Sequence, residues 1–269
     1  MAPTILLFDS GLGGLTVYRE VAKARSDARL VYAADDAFFP YGRHDEAELV
    51  ARVPAVMEEL IAAHRPDLVV VACNTASTLV LSLLRARFTL PFVGTVPAIK
   101  PACAASTSKL VSVLGTEATV RREYTRTLIR DFANGCSVTL VGSPRLAEIA
   151  EAELRGERGP DAEIAHEIAP CFVEQGGART DTIVLACTHY PLLLDRLTRL
   201  APWPVNWMDP APAIARRVVE LLGPAAGGPA APPARIAFTS GRAPSGALAA
   251  ALAGFGIGQA AAAAAAAGV

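Results

Sequence analysis

Two stretches of this chain end in nearly the same way: Val70-Val71-Ala72-Cys73-Asn74-Thr75 and Val184-Leu185-Ala186-Cys187-Thr188-His189. Each is an apolar run of strand length that stops at a cysteine and passes into helix-forming sequence. A second pair behaves alike. The run from Thr4 ends at Asp9-Ser10-Gly11, and the run from Leu110 ends at Gly115-Thr116. The offset is 106 residues between Thr4 and Leu110 and 114 between Cys73 and Cys187, which points to an internal duplication. Short β-rich runs alternating with helices make an α/β protein with mostly parallel sheets. The repeat makes it two similar α/β domains, related by a pseudo-two-fold axis and facing each other across a cleft. Ligands of open α/β sheets collect at the carboxyl ends of the strands, where all four motifs fall.

Strands are expected over Thr4–Phe8, Leu30–Ala33, Leu68–Val71 and Phe92–Gly94, then over Leu110–Leu114, Ser137–Val141, Thr182–Leu185 and Val205–Trp207. Helices are expected over Leu15–Ala24, Glu46–His64, Ala76–Arg87, Val120–Ala133 and Leu192–Leu200. A Pro- and Gly-rich stretch, Gly223–Pro233, precedes a further strand at Ile236–Thr239 and an Ala-rich helix. The division that follows places residues 1–96 and 208–256 in the first domain and 97–207 in the second. Residues 257–269 form a low-complexity tail containing eight consecutive alanines, Ala260–Ala267.

The balance of 25 Lys+Arg against 26 Asp+Glu, a net charge of −1, argues against nucleic acid as a partner, since that partner favours a basic face. No apolar segment reaches the roughly 20 residues that span a bilayer, and Met-Ala-Pro-Thr leads straight into a strand without a basic leader. The expectation is a soluble, cytoplasmic protein with no membrane partner. Five cysteines, an odd number with no CxxC pair, predict free thiols rather than a disulfide framework. With only four histidines, a zinc site has little support. His44, His64 and His166 read as surface residues.

A free cysteine is usually a small core residue, and Cys103, Cys136 and Cys171 fit that description. Cys73 and Cys187 differ, because each stands where a strand gives way to a helix. Amide N–H groups and the positive end of the helix dipole favour the thiolate there. Two thiols at duplicated positions suit racemisation, in which a base on one face of a carbon and an acid on the other exchange roles for the reverse direction. The site must also stabilise the developing carbanion electrostatically. No cofactor is needed for this chemistry.

Five segments in order, Phe8-Asp9-Ser10-Gly11-Leu12-Gly13-Gly14-Leu15, Pro40-Tyr41-Gly42, Ala72-Cys73-Asn74-Thr75-Ala76-Ser77, Gly115-Thr116-Glu117-Ala118-Thr119 and Ala186-Cys187-Thr188-His189-Tyr190-Pro191, resemble the glutamate racemases of bacterial cell-wall synthesis. The resemblance runs from about Ile5 to Gly256. It implies that Cys73 and Cys187 are the acid/base pair, with Asp9 assisting Cys73, and His189 and Glu151 assisting Cys187. It implies that Asn74, Thr75 and Thr188 bind the ammonium and α-carboxylate of glutamate. Asp9, Ser10, Pro40, Tyr41, Gly42, Thr116, Thr119 and His189 would complete the pocket. The family usually has Cys-Pro where Ser143-Pro144 stands, with its glutamate seven residues beyond the proline. That count gives Glu151, with Glu148 and Glu153 as alternatives on the same helix.

On composition alone, Asp9-Ser10-Gly11 is also a helix cap and Pro40-Tyr41-Gly42 a turn. Gly11–Gly14 lacks both the dinucleotide glycine spacing and the Lys-Ser/Thr of a nucleotide loop. The resemblance implies interconversion of L- and D-glutamate without pyridoxal phosphate, metal or nucleotide; a homodimer is compatible with the sequence, which does not fix the oligomeric state. Two other readings stay open: a racemase for aspartate or another acidic amino acid, and a binding or regulatory protein that lost the chemistry.

Overall fold

The computed structural model describes residues 2–227, 231–244 and 246–258; the alanine tract Ala260–Ala267 lies outside them. Strand β1 (Thr4–Asp9) is buried from Ile5 onward, the pattern of a strand covered on both faces. Helix α1 (Leu15–Ala24) leads to β2 (Arg29–Ala34), which pairs in parallel with β1. Helix α2 (Glu46–His64) opens on a capping box in which the Asp45 side chain accepts from the Glu48 amide and Glu48 reaches back to the Asp45 amide. Strand β3 (Leu68–Val71) lies on the other side of β1, and α3 (Asn74–Arg87) leads to β4 (Phe92–Gly94) at that edge.

The chain then builds a second sheet. Helix α4 (Ile99–Ala105) precedes β5 (Leu110–Gly115), and the short α5 (Glu117–Arg121) and α6 (Glu123–Phe132) precede β6 (Ser137–Gly142). The single helix expected over Val120–Ala133 is thus broken. Arg122 is extended, with φ −68° and ψ 140°, and the Thr125 hydroxyl donates to the Thr119 carbonyl at 2.7 Å, offering the backbone an alternative to the helical ladder. Helices α7 (Leu146–Leu154) and α8 (Asp161–Ile168) follow. A small hairpin unforeseen in the sequence comes next, β7 (Glu174–Gln175) and β8 (Ala178–Arg179). It turns on Gly176 and Gly177, whose φ values of 60° and 81° are the left-handed pair that a two-residue hairpin requires. Strand β9 (Thr182–Ala186), α9 (Leu194–Leu200) and β10 (Asn206–Met208) complete this half. Helix α10 (Ala211–Leu222) then packs on α1, β11 (Arg235–Phe238) joins the first sheet beside β2, and α11 (Gly246–Gly254) follows.

The order of the first sheet is β11-β2-β1-β3-β4 and that of the second is β10-β9-β5-β6, with every pairing in both parallel. Read from its other edge, the second sheet is β6-β5-β9-β10, the order of β2-β1-β3-β4. The duplication seen in the sequence is therefore one of topology, with β11 as the addition. Apolar side chains alternate to opposite faces of each strand. Ile5, Leu7 and Tyr32 join α1 and α10 on one face, while Leu6, Phe8 and Val69 join α2 and α3 on the other. Ile257, assigned by sequence to the tail, is buried and bridges Ala234 beside β11. His166 is exposed, whereas His44 and His64 are half-buried; His44 stacks on Phe38 at 3.7 Å. Among the described residues no helix is long and apolar enough to cross a membrane.

Candidate active site

The carboxyl ends of β1 and β3 meet those of β5 and β9 across the two sheets. Thr188 Oγ1, after β9, donates to Asp9 Oδ2 at the end of β1 at 3.0 Å. Thr75 Oγ1, after β3, lies 3.2 Å from Thr116 Oγ1 and 3.3 Å from Thr119 Oγ1, which are themselves 3.0 Å apart. The motifs expected to converge do so.

Cys73 caps α3, its sulfur accepting from the Ala76 amide at 3.5 Å. Its only other hydrogen bond among the described residues runs to Ser10 Oγ at 3.7 Å. Ser10 Oγ in turn lies 3.3 Å from Asp9 Oδ1, which also accepts from the Ser10 amide at 2.7 Å, and Asp9 Oδ2 takes the Gly14 amide. Burial pushes the Asp9 carboxyl up, against the charge of His189 and the hydrogen bonds it accepts. Burial also pushes the Cys73 thiol up, to about 12, and the Asp9 charge adds to it, against the Ala76 amide and the Ser10 hydroxyl. The helix terminus was expected to favour the thiolate here. At a residue only 5% exposed, desolvation outweighs it.

Cys187 is equally enclosed, and its sulfur lies 3.8 Å from His189 Nδ1. His189 Nε2 lies 3.1 Å from Glu151 Oε1, which also accepts from the Leu12 amide at 2.6 Å; Glu151 Oε2 takes Arg155 Nη2 at 2.9 Å. Burial opposes the imidazolium of His189, yet its contacts with Cys187 and Glu151 win and raise it well above the ordinary range. Burial likewise opposes ionisation of Glu151, but the His189 bond and charge, the Leu12 amide and Arg155 hold its carboxyl below the usual range. In the charged form the two ring N–H groups point at Cys187 and Glu151. The Gly13 amide, also 3.1 Å from Nε2, can donate there only when the ring is neutral.

Of the three glutamates left open by the sequence, Glu151 is the one that reaches His189. Glu148 pairs with Arg43 and Arg145, and Glu153 with Arg196. The Ser143 hydroxyl accepts from the Arg145 and Leu146 amides at the start of α7, and so anchors the helix that carries Glu151.

The glycines of Gly11-Leu12-Gly13-Gly14 serve close approach. A Cβ on Gly13 would sit 2.5 Å from His189 Nδ1 and 2.6 Å from Thr188 Oγ1, and one on Gly14 would sit 2.9 Å from Asp9 Oδ2. Among the described residues neither side-chain polar atom of the buried Asn74 has a partner. A cleft of about 140 Å³ lined by Pro40, Gly42, Thr116, Ser143 and Glu148 opens beside these groups, but neither cysteine lines it. Tyr41, expected in the pocket, is buried with its hydroxyl donated to Asp35 Oδ2 at 2.6 Å, so that its tie is to the scaffold. Phe39, packed 5.3 Å from the His189 ring, and the amides of Leu12 and Gly13 are site features that the sequence did not reveal. Backbone donors and a packing aromatic carry no spacing signal of their own. Among the described residues no group of three or more His, Cys, Asp or Glu side chains is placed to hold a metal ion.

Residues 7–218 match the Asp/Glu/hydantoin racemase family. The chain is 59% identical over 221 residues to the glutamate racemase of Brucella anthropi, covering 82% of this chain and 80% of that one. It is 54% identical over 265 residues to the glutamate racemase of Brucella ovis, covering 94% and 92%. Among solved structures it is similar to Escherichia coli glutamate racemase in complex with L-glutamate and the activator UDP-MurNAc-Ala. The TM-score is 0.86 at 39% identity, over 96% of both chains.

Proposed function

The chain belongs to the Asp/Glu/hydantoin racemase family, and we propose that it is a glutamate racemase in which Cys73 and Cys187 exchange the α-proton on opposite faces of the substrate. The observation that carries the reading is the placement of the two thiols. They follow equivalent strands of two sheets that share a strand order, Cys73 being joined to Ser10 and through it to Asp9, and Cys187 to His189. Relatives at 54–59% identity and a structural neighbour with bound L-glutamate support glutamate as the substrate.

In this reading Asn74 offers its unpartnered amide to the substrate's charged α-substituents, together with the Thr188 hydroxyl. The hydroxyls of Thr75, Thr116 and Thr119 and the Pro40–Gly42 turn face the remainder of the molecule. Cys73 is a thiol in the free enzyme at neutral pH, so its role as base is coupled to the arrival of the cationic ammonium. Cys187 draws on the His189–Glu151 pair. These groups account for the proton transfers without an imine-forming cofactor or a metal. The product would be D-glutamate for peptidoglycan, made in the cytoplasm. The test is a circular-dichroism assay on L-glutamate without added cofactor, with L-aspartate in parallel. Loss of optical activity with glutamate is expected. Turnover of aspartate alone would move the assignment to the other acidic substrate, and turnover of neither would end it.

A further inference from the structure

The two halves of the site share a topology but not a way of reaching sulfur. At Cys187 an ionisable ring lies directly against the thiol, with His189 Nδ1 at 3.8 Å. At Cys73 no hydrogen bond among the described residues joins the sulfur to a carboxylate. What lies between Cys73 and Asp9 is the Ser10 hydroxyl, 3.7 Å from the sulfur and 3.3 Å from Asp9 Oδ1. An ionised carboxylate only accepts, so the Ser10 O–H must point at Asp9 and its lone pairs are left to receive the Cys73 S–H. The chain Cys73→Ser10→Asp9 therefore has one direction. Thr116, which stands after β5 where Ser10 stands after β1, has its hydroxyl turned to Thr75 and Thr119 instead. The hydroxyl bridge is thus particular to one half.

We propose that Ser10 is a catalytic residue that relays the proton between Cys73 and Asp9, a role that rests on the racemase reading above. To make Cys73 a base, the S–H bond breaks and its proton joins Ser10 Oγ. The proton of Ser10 passes in the same motion to Asp9 Oδ1. The negative charge moves from the Asp9 carboxylate to the Cys73 sulfur, Ser10 ends neutral, and nothing is oxidised or reduced. The burial that raises Asp9 makes its carboxyl a better resting place for that proton. The return path recharges Cys73 as an acid. Asp9 is held for this purpose by the Gly14 amide and the Thr188 hydroxyl on its other oxygen.

Ser10→Ala and Ser10→Thr test the relay, each in the full-length enzyme. Racemisation should lose on the order of 10²-fold in kcat in Ser10→Ala, with KM little changed, and Ser10→Thr should restore most of it. A second measurement needs no substrate: the rates at which iodoacetamide labels Cys73 and Cys187 in the same molecule, resolved by peptide mass spectrometry. In Ser10→Ala the Cys73:Cys187 ratio should fall roughly tenfold, the loss expected when a thiolate gives up one hydrogen bond. General loosening of the fold would raise both rates instead. An unchanged ratio, or a variant that raises KM and keeps kcat, overturns the relay. If the wild type leaves glutamate unchanged while the ratio still falls, the relay stands and the substrate assignment fails.

Discussion

Thr188 Oγ1 donates a 3.0 Å hydrogen bond to Asp9 Oδ2, tying the end of β9 in one sheet to the end of β1 in the other. Exchange the two sheets, β1 for β5 and β3 for β9, and the same strand ends meet again, through Thr75 Oγ1 and Thr116 Oγ1 at 3.2 Å, each one position further along than the equivalents of Thr188 and Asp9. Contacts between the same pairs of strand ends accord with the shared strand order of the two sheets. The site is therefore symmetric in its sulfurs and asymmetric in what surrounds them.

The asymmetry predicts which carboxylate matters near Cys187. Glu151→Gln should lower kcat/KM for glutamate by at least tenfold, the lower end of the range for positioned acid–base groups. The loss should be equal in both directions, because mirror-image substrates have an equilibrium constant of one. Glu153→Gln, which breaks only the pair with Arg196, should stay within about twofold. Steady-state rates from each enantiomer decide the matter, and equal losses in the two variants would contradict the assignment of Glu151.

Much of this architecture was legible. The repeated Ala-Cys endings and the alternation of strand and helix pointed to two parallel sheets, because a strand buried on both faces is written as a short continuous apolar run. Cys73 could be placed at the start of α3 for the same reason. Less legible was anything set by contact across the domains. Glu148, Glu151 and Glu153 share one short helix, and only the position of His189 selects among them. Gly11–Gly14 could be rejected as a phosphate loop, but its actual purpose is to let Glu151, His189 and Asp9 approach the backbone. Dielectric surroundings were hidden too, so burial overrides the helix terminus at Cys73.

Asn74 predicts a trade between stability and binding. Two unpartnered, buried polar atoms cost about 1–3 kcal/mol each. Asn74→Ala should therefore unfold at the same temperature as the wild type or higher, by calorimetry, while KM for glutamate rises at least tenfold. A destabilised variant with unchanged KM would show that Asn74 is a scaffold residue.

His189 gives a pH dependence of stability. Its folded value lies well above the ordinary 6.5, so the imidazolium's contribution is fully present below about pH 6.5 and is lost as pH rises through the folded value. Glu151, held below its ordinary 4.5, keeps the partner charge in place at the acid end of this window. The difference in unfolding free energy between wild type and His189→Gln should be greatest between about pH 5 and 6.5 and shrink as the solution becomes alkaline. Urea titrations across that range measure it, and a difference that grows with pH contradicts the charged pair.

Gly13→Ala would place a methyl 2.6 Å from the His189 backbone nitrogen, a contact that cannot be relieved by turning a side chain. Overpacking of this kind costs about 1–3 kcal/mol, and here it also displaces the His189 ring. A lower melting temperature and at least a tenfold loss of activity are expected. Gly159→Ala, where the nearest atom would be Glu163 Oε2 at 4.0 Å, should resemble the wild type.

The central claim is that one thiol removes the α-proton and the other delivers a new one from the opposite face. Racemisation of L-glutamate in deuterated water, stopped after a small fraction of one conversion and resolved by chiral mass spectrometry, tests it directly. Two opposed thiols predict D-glutamate carrying one deuterium at the α-carbon while the remaining L-glutamate is still protiated. Cys73→Ser and Cys187→Ser should each form no D-glutamate. Deuterium appearing equally in the recovered L-glutamate at the earliest times, or continued racemisation by either variant, would mean a single base serving both faces and would contradict the account.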